Sequence, residues 1–397
     1  MFTRIAGGLA ALALAAAAAA QPSKEAPELP DTLPINHLQV LGTHNSYSAG
    51  IDPRLLAEVQ RRLPSMEKAA DAMPDARRAL FKEEHPANVS FAEALSYRHP
   101  GLTEQLDLGV RSLEIDVNAD PQGGAYADPA GYRLLRAQGV TDLLPFDAAA
   151  MRAPGFKVLH IPDIDFRSHC PTFRGCLAEI RTWSQAHPGH VPLFILVEAK
   201  VQGMPILPGA TVAPPFTPAA FDALDREIVE TVGRDRIITP DDVRGSHETL
   251  DEAVRAGGWP TLGKARGKML FLMLTATGPG GASGYLAGHP GLRGRVAFLR
   301  AQPGEDHAAF LLLDNALVRR DEIAARVKQG YMVRTRSDIE TFEAKTNDMT
   351  RANAAFASGA QIVSTDYEQP GNAYGTRYVV RLPGGGVVRC LQDEHCR

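Results

Sequence analysis

The segment LTEQLDLGVRSLEIDVN, residues 102–118, contains a helical pattern that leads directly into a strand pattern. Leu102–Gly109 has the spacing of apolar residues that is typical of a helix, and it ends on a glycine. Ser112–Asn118 is a short, mostly apolar run that ends in a polar residue, as expected of a strand. This helix–strand unit recurs along the chain and decides the predicted fold.

Seven further apolar runs extend the pattern in both directions. They are His37–Thr43, Phe156–His160, Pro192–Glu198, Lys268–Leu274, Ala308–Asp314, Tyr331–Arg336 and Ala360–Asp366. Helical patterns such as Cys176–His187 and Ala219–Val232 lie between most of them. Eight strands alternating with helices predict a (β/α)8 TIM barrel, because buried parallel strands are nearly continuous apolar runs. A doubly wound open sheet is the alternative, but no Gly-rich fingerprint follows an early strand.

The composition agrees with one globular domain. The 397 residues include 42 Lys and Arg against 46 Asp and Glu, and this net charge of -4 excludes a strongly basic nucleic-acid binder. With 44% hydrophobic residues the chain can form a core, which excludes disorder throughout. We predict that residues 34–397 form a single barrel domain with long insertions at about 50–100, 119–155 and 201–217.

The first twenty residues have the layout of a secretory signal peptide. Arg4 precedes an apolar run, residues 5–20, that ends in small residues. A membrane anchor is the alternative, but it needs roughly 20 strongly apolar residues, and this run is mostly alanine. We expect cleavage near Ala20, a tail over residues 21–33, export to the periplasm or the medium, and a monomer without a transmembrane helix.

Four cysteines fall into two close pairs, Cys170 with Cys176 and Cys390 with Cys396. In an exported chain this predicts two short-loop disulfides. The C-x5-C spacing suits neither a zinc knuckle nor a redox C-x-x-C motif.

Carboxylates and an amide stand at the predicted strand ends, which form the active-site face of a barrel. Glu114 and Asp116 project to the same face of one strand, and Glu198 ends the fourth run. With the amide oxygen of Asn45 they form an all-oxygen set of the kind that calcium prefers. The alternative for the two strand carboxylates is ion pairing with Arg and Lys.

Two histidines, His44 and His160, end the first and third predicted strands on either side of these carboxylates. This placement suits paired proton transfer, in which one imidazole withdraws a proton and the other supplies one. Asp163 and Asp165 either orient His160 or belong to the start of a helix. Eight further histidines are interpreted as surface residues: His99, His169, His187, His190, His247, His289, His307 and His395.

These residues resemble, in order and strand position, the catalytic half of calcium-dependent phosphoinositide-specific phospholipase C. The surrounding phrases LGTHNSY (41–47), LTEQLDLGVRSLEIDV (102–117) and LHIPDIDFRS (159–168) look like those of its exported bacterial branch. The resemblance implies a Ca²⁺ site made by Asn45, Glu114, Asp116 and Glu198, and action at phosphorus by His44 and His160. Animal enzymes carry Arg-x-Tyr where this chain has Arg334-x-Arg336, so it also implies a phosphate contact for Arg334, with Arg336 and Lys200 as candidate anion contacts.

The resemblance implies that the inositol 2-hydroxyl attacks phosphorus and displaces diacylglycerol, leaving an inositol cyclic phosphate. His160 is then the general acid, and the base is either His44 or a carboxylate such as Glu114 or Glu198. A phosphodiesterase for glycerophosphodiesters or another lipid headgroup, and a catalytically inactive exported binding protein, are the alternatives.

The expected partner is a phospholipid substrate, met transiently at a membrane interface, and no nucleic acid. The apolar, proline-containing stretch Met204–Phe216 either dips into the lipid or forms a wall of the cleft.

Overall fold

A computed structural model describes residues 29–63, 71, 73–87, 89–200, 206–275, 282–391 and 396 of the chain. The predicted signal peptide, residues 21–28 of the predicted tail, Met204 and Pro205 of the apolar stretch, and His395 lie outside the described residues.

Eight parallel strands form the predicted barrel, and two short strands lie outside it. In chain order the strands are β1 (Leu38–Thr43), β2 (Ser112–Asp120), β3 (Gly155–Lys157), β4 (Leu193–Lys200), β5 (Met269–Thr275), β6 (Phe298–Leu299), β7 (Phe310–Asn315), β8 (Met332–Arg336), β9 (Ile362–Thr365) and β10 (Arg389–Cys390). The order around the barrel is β6-β5-β4-β2-β1-β9-β8-β7, and one parallel bridge, Arg300 with Phe310, links its two ends. The barrel is therefore nearly closed, and the predicted fold class is confirmed.

One predicted barrel strand is wrong. Of the run Phe156–His160, only its first two residues belong to a strand, β3, which pairs antiparallel with the end of β2 and lies outside the ring. β2 instead neighbours β4 directly. The eighth member of the ring is β6, which has only two residues and is too short to give a recognisable apolar run. His160 therefore lies in a loop and does not end a barrel strand.

Helices cover the outside of the barrel and the insertions. They are α1 (Pro53–Arg62), α2 (Asp75–Glu84), α3 (Phe91–Ala94), α4 (Leu102–Asp107), α5 (Ala130–Ala137), α6 (Ala148–Arg152), α7 (Phe173–Ala186), α8 (Pro218–Val232), α9 (Pro240–Arg244), α10 (Leu250–Arg255), α11 (Leu262–Ala265), α12 (Ala282–Leu286), α13 (Ala316–Lys328), α14 (Phe342–Thr346) and α15 (Thr350–Ala357). Short 3-10 turns cover Ile35–His37, Arg234–Arg236 and Pro290–Leu292. The long helix α8 begins where Thr217 accepts a hydrogen bond from the backbone N–H of Ala220, which is a standard N-cap.

Two hydrophobic clusters hold the molecule together. The larger one fills the barrel and the space between strands and helices. The smaller one, here called the insertion core, joins the predicted insertions to the loop after β3. Its buried residues are Leu55, Val59, Leu95, Tyr126, Ala130, Tyr132, Leu135, Met151, Leu159, Ile164, Phe166 and Leu207.

Close approach of β1 and β2 sets the end of β1 beside the start of β2, where Gly42 lies opposite Ser112. A side chain at Gly42 would place its Cβ 2.8 Å from the Cβ of Ser112, so the strand pair requires glycine at this position. The two predicted disulfides are present, with Cα–Cα distances of 5.2 Å for Cys170–Cys176 and 6.0 Å for Cys390–Cys396. Among the described residues, no helix is both long and apolar enough to span a bilayer.

Candidate active site

The carboxyl ends of neighbouring barrel strands carry most of the predicted site residues. These are His44 and Asn45 after β1, Glu114 and Asp116 on β2, Glu198 and Lys200 on β4, and Arg334 and Arg336 on β8. Because β4, β2, β1, β9 and β8 are consecutive in the sheet, these side chains share one end of the barrel. His160 reaches the same region from the loop after β3.

Three carboxylates form the centre of the site. Glu114, Asp116 and Glu198 each offer an oxygen atom, and these oxygens lie within 4.8 Å of one another. The parallel register of β2 and β4 sets Asp116 beside Glu198. Asp116 is fully buried, and its Oδ1 atom has no hydrogen-bond partner among the described residues. A buried carboxylate oxygen without a donor indicates a position for a cation.

The pKa values of the carboxylates reflect this crowding. Burial raises the pKa of Glu114 to about 8, although the charge of Arg334 opposes the shift. Burial likewise raises the pKa of Asp116 to about 6 against the charge of Lys200. For Glu198, burial is outweighed by the nearby ammonium of Lys200, so its pKa lies below the usual value. The site therefore accommodates three ionised carboxylates only when cations offset their repulsion.

Two basic side chains of the chain itself contact these carboxylates. Lys200 Nζ lies 2.9 Å from Asp116 Oδ2 and 2.9 Å from Glu198 Oε2. Arg334 Nη2 donates to Glu114 Oε2 at 2.8 Å. The ion pairs that the sequence offered as an alternative to a metal site are thus present, and they involve the same carboxylates that would hold a metal.

The guanidinium groups of the two arginines of β8 differ in how many of their N–H groups are hydrogen-bonded to the protein. Arg334 is buried and also donates to Asp314 Oδ1 at 2.5 Å, so it is committed to protein carboxylates. Arg336 donates through Nη2 to Asp366 Oδ2 at 2.9 Å, whereas its Nε has no partner among the described residues. A buried guanidinium N–H without a protein acceptor is suited to an anionic ligand.

His44 is held by a carboxylate from the carboxyl end of β9. Its Nδ1 lies 2.9 Å from Asp366 Oδ1, and its Nε2 lies 3.9 Å from Glu114 Oε1. An ionised carboxylate only accepts hydrogen bonds, and its contact with Nδ1 is shorter than the 3.3 Å contact of Arg336 Nη2 with the same nitrogen. We therefore assign the imidazole proton to Nδ1, which leaves Nε2 to present a lone pair to the site. Burial and the charge of Arg336 lower the pKa of His44 to about 3, although Asp366 opposes the shift.

Asn45 is placed by an unusual backbone conformation. Its φ of 48° lies in the left-handed region, which asparagine tolerates better than most residues. Its Nδ2 donates to the Tyr97 hydroxyl at 2.6 Å, and the Tyr47 hydroxyl donates to its Oδ1 at 3.4 Å. The amide is therefore oriented with its nitrogen committed and its oxygen only weakly engaged, as a metal ligand requires.

His160 has a partner of its own. Its Nδ1 lies 3.0 Å from Asp165 Oδ2, and the His160 backbone N–H donates to the Asp165 carbonyl at 3.0 Å. Asp163 is different, because its carboxylate accepts from the backbone N–H groups of Ala130 and Thr211 and thereby ties two insertions together. Of the two aspartates that follow His160, the structure places Asp165 on the imidazole and gives Asp163 a packing role.

Three titratable residues lie behind His44, and sequence reasoning does not bring them to the site. The sequence marks Asp366 only as a strand-end residue. His99, predicted to lie on the surface, is buried, with Nε2 at 2.8 Å from the His44 carbonyl and Nδ1 at 3.0 Å from Glu368. The sequence signal available is the polar run of residues 364–368 at the last strand end, which contains both Asp366 and Glu368.

Comparison with known proteins identifies the family. The family model described as phosphoinositide phospholipase C, Ca²⁺-dependent, matches residues 33–391. The chain belongs to this family. It is accordingly a calcium-dependent phosphoinositide-specific phospholipase C, as the resemblance in the sequence implied, and neither a glycerophosphodiesterase nor an inactive binding protein is favoured.

Solved structures of phospholipase C enzymes share the fold. The apo form of a calcium-dependent phosphoinositol-specific phospholipase C from Pseudomonas sp. has a TM-score of 0.52 at 14% identity, over 92% of this chain and 98% of that one. Its myoinositol complex gives 0.51 at 14% identity, over 90% and 96%. The enzyme from Streptomyces antibioticus gives 0.49 at 20% identity, over 87% and 98%. A search of curated protein sequences found no match.

The residues of this phospholipase C fit a calcium ion. The candidate ligands are three carboxylates and one amide oxygen, which is the hard oxygen set that Ca²⁺ binds. The carboxylate cluster includes no histidine. Asp116 also has an oxygen, Oδ1, that accepts no hydrogen bond from the described residues. The donor chemistry thus agrees with the calcium requirement of the family.

Proposed function

We propose that the chain cleaves phosphatidylinositol-type lipids by intramolecular attack of the inositol 2-hydroxyl, with the residues of this site in the roles that follow. The observation that carries the proposal is the pair of imidazoles, His44 and His160, which flank the three carboxylates and are each held through Nδ1 by an aspartate. Such pairs fix the tautomer and direct the opposite nitrogen at a substrate.

His44 is the proton acceptor in this proposal. Its Nε2 presents a lone pair, whereas Glu114 and Glu198, the alternative bases, belong to the carboxylate cluster that would hold calcium, and Glu114 is also bound by Arg334. The negative phosphate of a bound lipid offsets the charge of the nearby arginine, which raises the basicity of His44 when substrate is present.

His160 is the proton donor. The oxygen of the inositol 2-hydroxyl forms a bond to phosphorus, its proton passes to His44, the bond from phosphorus to the glycerol oxygen breaks, and His160 protonates that oxygen. Asn45, Glu114, Asp116 and Glu198 would hold the calcium ion, which would supply positive charge to acidify the hydroxyl and offset charge on the nonbridging oxygens.

Arg336 is the main phosphate contact of the chain. Its Nε has no protein acceptor among the described residues, and it lies beside His44, with Nη2 3.3 Å from the imidazole Nδ1. Arg334 acts instead by holding Glu114, since its guanidinium is already occupied by acidic partners.

Phosphorus NMR tests this assignment. Purified residues 21–397 are incubated with phosphatidylinositol vesicles, first with calcium and then with excess chelator. We expect an inositol cyclic phosphate signal that requires calcium, that disappears in His160→Ala, and that persists in the control His247→Ala, an exposed histidine. Calcium binding without any turnover of phosphatidylinositol would refute the proposed substrate.

A lipid surface is the proposed docking partner of the catalytic face. Among the described residues, the exposed large apolar side chains are Leu80, Val212, Leu317, Val318 and Phe342. Leu317, Val318 and Phe342 follow the carboxyl ends of β7 and β8, and α2 with Leu80 packs against β7, where Asn315 donates to the Glu83 carbonyl. Apolar side chains at the rim of a lipid hydrolase are suited to shallow insertion into a bilayer.

Vesicle sedimentation tests the docking surface. The triple variant Val212→Ser, Val318→Ser, Phe342→Ser should bind phosphatidylinositol vesicles about tenfold or more weakly, because three apolar side chains no longer enter the lipid. Turnover of a short-chain, monomeric phosphatidylinositol serves as the control and should be retained. Equal vesicle binding by the variant and the parent protein would exclude this surface.

We further infer export of a monomer whose mature catalytic domain is residues 34–397. Two disulfides and the apolar run before Ala20 support export. Amino-terminal sequencing of the protein from the culture medium or periplasm should find a start near Gln21, and light scattering should give the mass of one chain.

A further inference from the structure

Two basic residues, Arg334 and Lys200, contact the carboxylate cluster of the site, and they differ in how many other groups fix the side chain. Arg334 has 2% exposure and is fixed by Asp314, Glu114 and the hydroxyl of Ser364, at 3.1 Å from Nε. Lys200 is the last residue of β4, and its only ion-pair partners among the described residues are Asp116 and Glu198. One cation is part of the scaffold, and the other is held by the carboxylates alone.

Strand geometry directs Lys200 to the cluster. Lys200 and Glu198 are two residues apart on β4 and therefore share a face, and the register sets Lys200 beside Asn118 and Glu198 beside Asp116. The flexible side chain of Lys200 bends back along the strand from its own position toward Asp116 and Glu198, which brings Nζ to 2.9 Å from an oxygen of each carboxylate.

A calcium ion on the same carboxylates competes with this ammonium. Calcium binds carboxylate oxygens at about 2.3–2.6 Å. An ammonium 2.9 Å from Asp116 and from Glu198 either shares those oxygens with the ion or lies within a few ångströms of it. Like charges at such distances repel strongly inside a protein. Of the two basic residues, Lys200 is the one that can move away, because it has a flexible stem and no other ion-pair partner among the described residues.

We propose that Lys200 is an intrinsic counter-cation of the calcium site, which holds Asp116 and Glu198 together and is displaced when calcium binds. Lys200 thereby weakens calcium affinity, and it offsets the mutual repulsion of the two carboxylates when no metal occupies them. Once displaced, its ammonium is available to the anionic phosphate of the substrate, which is the role that the sequence suggested for it.

Calcium titration by calorimetry on metal-stripped residues 21–397, without lipid, tests the proposal. Lys200→Met keeps the length of the stem and removes the charge, and it should lower the calcium Kd roughly tenfold or more, because a competing positive charge is gone. Lys200→Arg retains a cation and should keep the Kd close to that of the parent protein. Lys345→Met is the matched control, since Lys345 pairs with Glu93 at 2.5 Å outside the cluster.

Thermal unfolding with and without calcium gives a second readout. In Lys200→Met the metal-free protein should unfold at a lower temperature, and calcium should raise its Tm by more than it raises that of the parent. A Kd for Lys200→Met that is within twofold of the parent, or higher, would overturn the inference, as would absence of calcium binding in every variant.

The inference rests on the calcium requirement of the proposed function, but its failure is distinguishable from failure of that function. If phosphatidylinositol is cleaved with calcium and Lys200→Met leaves the Kd unchanged, only the displacement of Lys200 is refuted. If Lys200→Met tightens calcium binding and no lipid is cleaved, the displacement stands and the substrate is wrong.

Discussion

The two histidines of the site have the same partner chemistry but belong to different parts of the molecule. His44 lies on the barrel, with Nδ1 2.9 Å from Asp366, and His160 lies on the loop after β3, with Nδ1 3.0 Å from Asp165. Around His44 stand charged groups from three barrel strands, namely Glu114 on β2, Arg336 on β8 and Asp366 at the end of β9. The loop that carries His160 is anchored instead by residues of the insertion core such as Leu159.

This difference separates two ways of tuning an imidazole. The barrel surrounds His44 with fixed charges, and burial together with these charges sets its pKa far below the usual value. The insertion core sets the position of His160 through apolar packing and a single carboxylate. A proton acceptor and a proton donor of one reaction can therefore be varied independently, because different cores support them.

The largest expected effect is removal of either imidazole. His44→Ala and His160→Ala should each lower kcat/KM for phosphatidylinositol by roughly 10²–10⁴-fold, the range typical of general acid–base catalysis. A substrate with an aryl leaving group, which needs no proton, separates the two roles: His160→Ala should recover most of its activity, and His44→Ala should not. Equal losses with both substrates would show that His160 is not the acid.

The next effect is loss of the carboxylates behind the imidazoles. Asp366→Asn and Asp165→Asn should each lower kcat by about 10- to 100-fold, as expected when the group that orients an imidazole is lost. Asp366→Asn should be the more damaging, because Asp366 also accepts from Arg336. Asp321→Asn, at an exposed position on α13, is the control and should be neutral. If Asp165→Asn lowered kcat more than Asp366→Asn, the predicted order of the two carboxylates would be wrong.

A smaller effect concerns the protonation of His44. Because Arg336 lowers its pKa, Arg336→Met should raise the pKa of His44 from about 3 toward 6.5, as measured by nitrogen NMR of labelled histidine in the metal-free protein. A depressed histidine pKa contributes stability above pH 6.5 that is lost as the pH falls toward 3. The variant should lose less stability over that window, and an unchanged His44 titration would show that burial alone sets its pKa.

The smallest expected effect on chemistry comes from weakening the insertion core. Leu159→Ala should destabilise the loop of His160 by about 2–5 kcal/mol, because it leaves a cavity at a fully buried position. On heating, the variant should then lose activity at a lower temperature than it loses secondary structure, which is measured by far-ultraviolet circular dichroism. Leu272→Ala, in the barrel core, is the matched control and should shift both transitions together. Coincident transitions in both variants would mean that the two cores unfold as one.

Features of the fold and of the site that depend on local sequence can be predicted, whereas those that depend on long-range contacts cannot. Seven of the barrel strands are recognisable because each is a local apolar run, and the residues at their ends come together because parallel strands share an edge. β6 escapes recognition because two residues carry no periodicity, and β3 is misassigned because an apolar run does not specify its partner or direction. Residue chemistry indicates the metal site, since two carboxylates on one face of a buried strand require a cation to offset their charges.

Long-range contacts account for the rest. The carboxylates hydrogen-bonded to His44 and His99, which are Asp366 and Glu368, lie more than 260 positions away in sequence, so nothing local marks His99 as buried or Asp366 as the neighbour of His44. The placement of Lys200 between two carboxylates depends on the register of β2 against β4, which the sequence of either strand alone does not determine.

The single bridge between Arg300 and Phe310 also bears on whether the chain tolerates circular permutation. Residues 302–307 form a largely exposed turn beside this seam, and none of the proposed catalytic or calcium-binding residues lies on β6 or β7. At the other side of the barrel, β10 pairs with β1, with Leu38 opposite Cys390, so the two ends of the barrel chain are neighbours. The fold is therefore suited to circular permutation, with new termini in the turn and a short linker joining the old ones. The order of strands along the chain is separable from their order around the site.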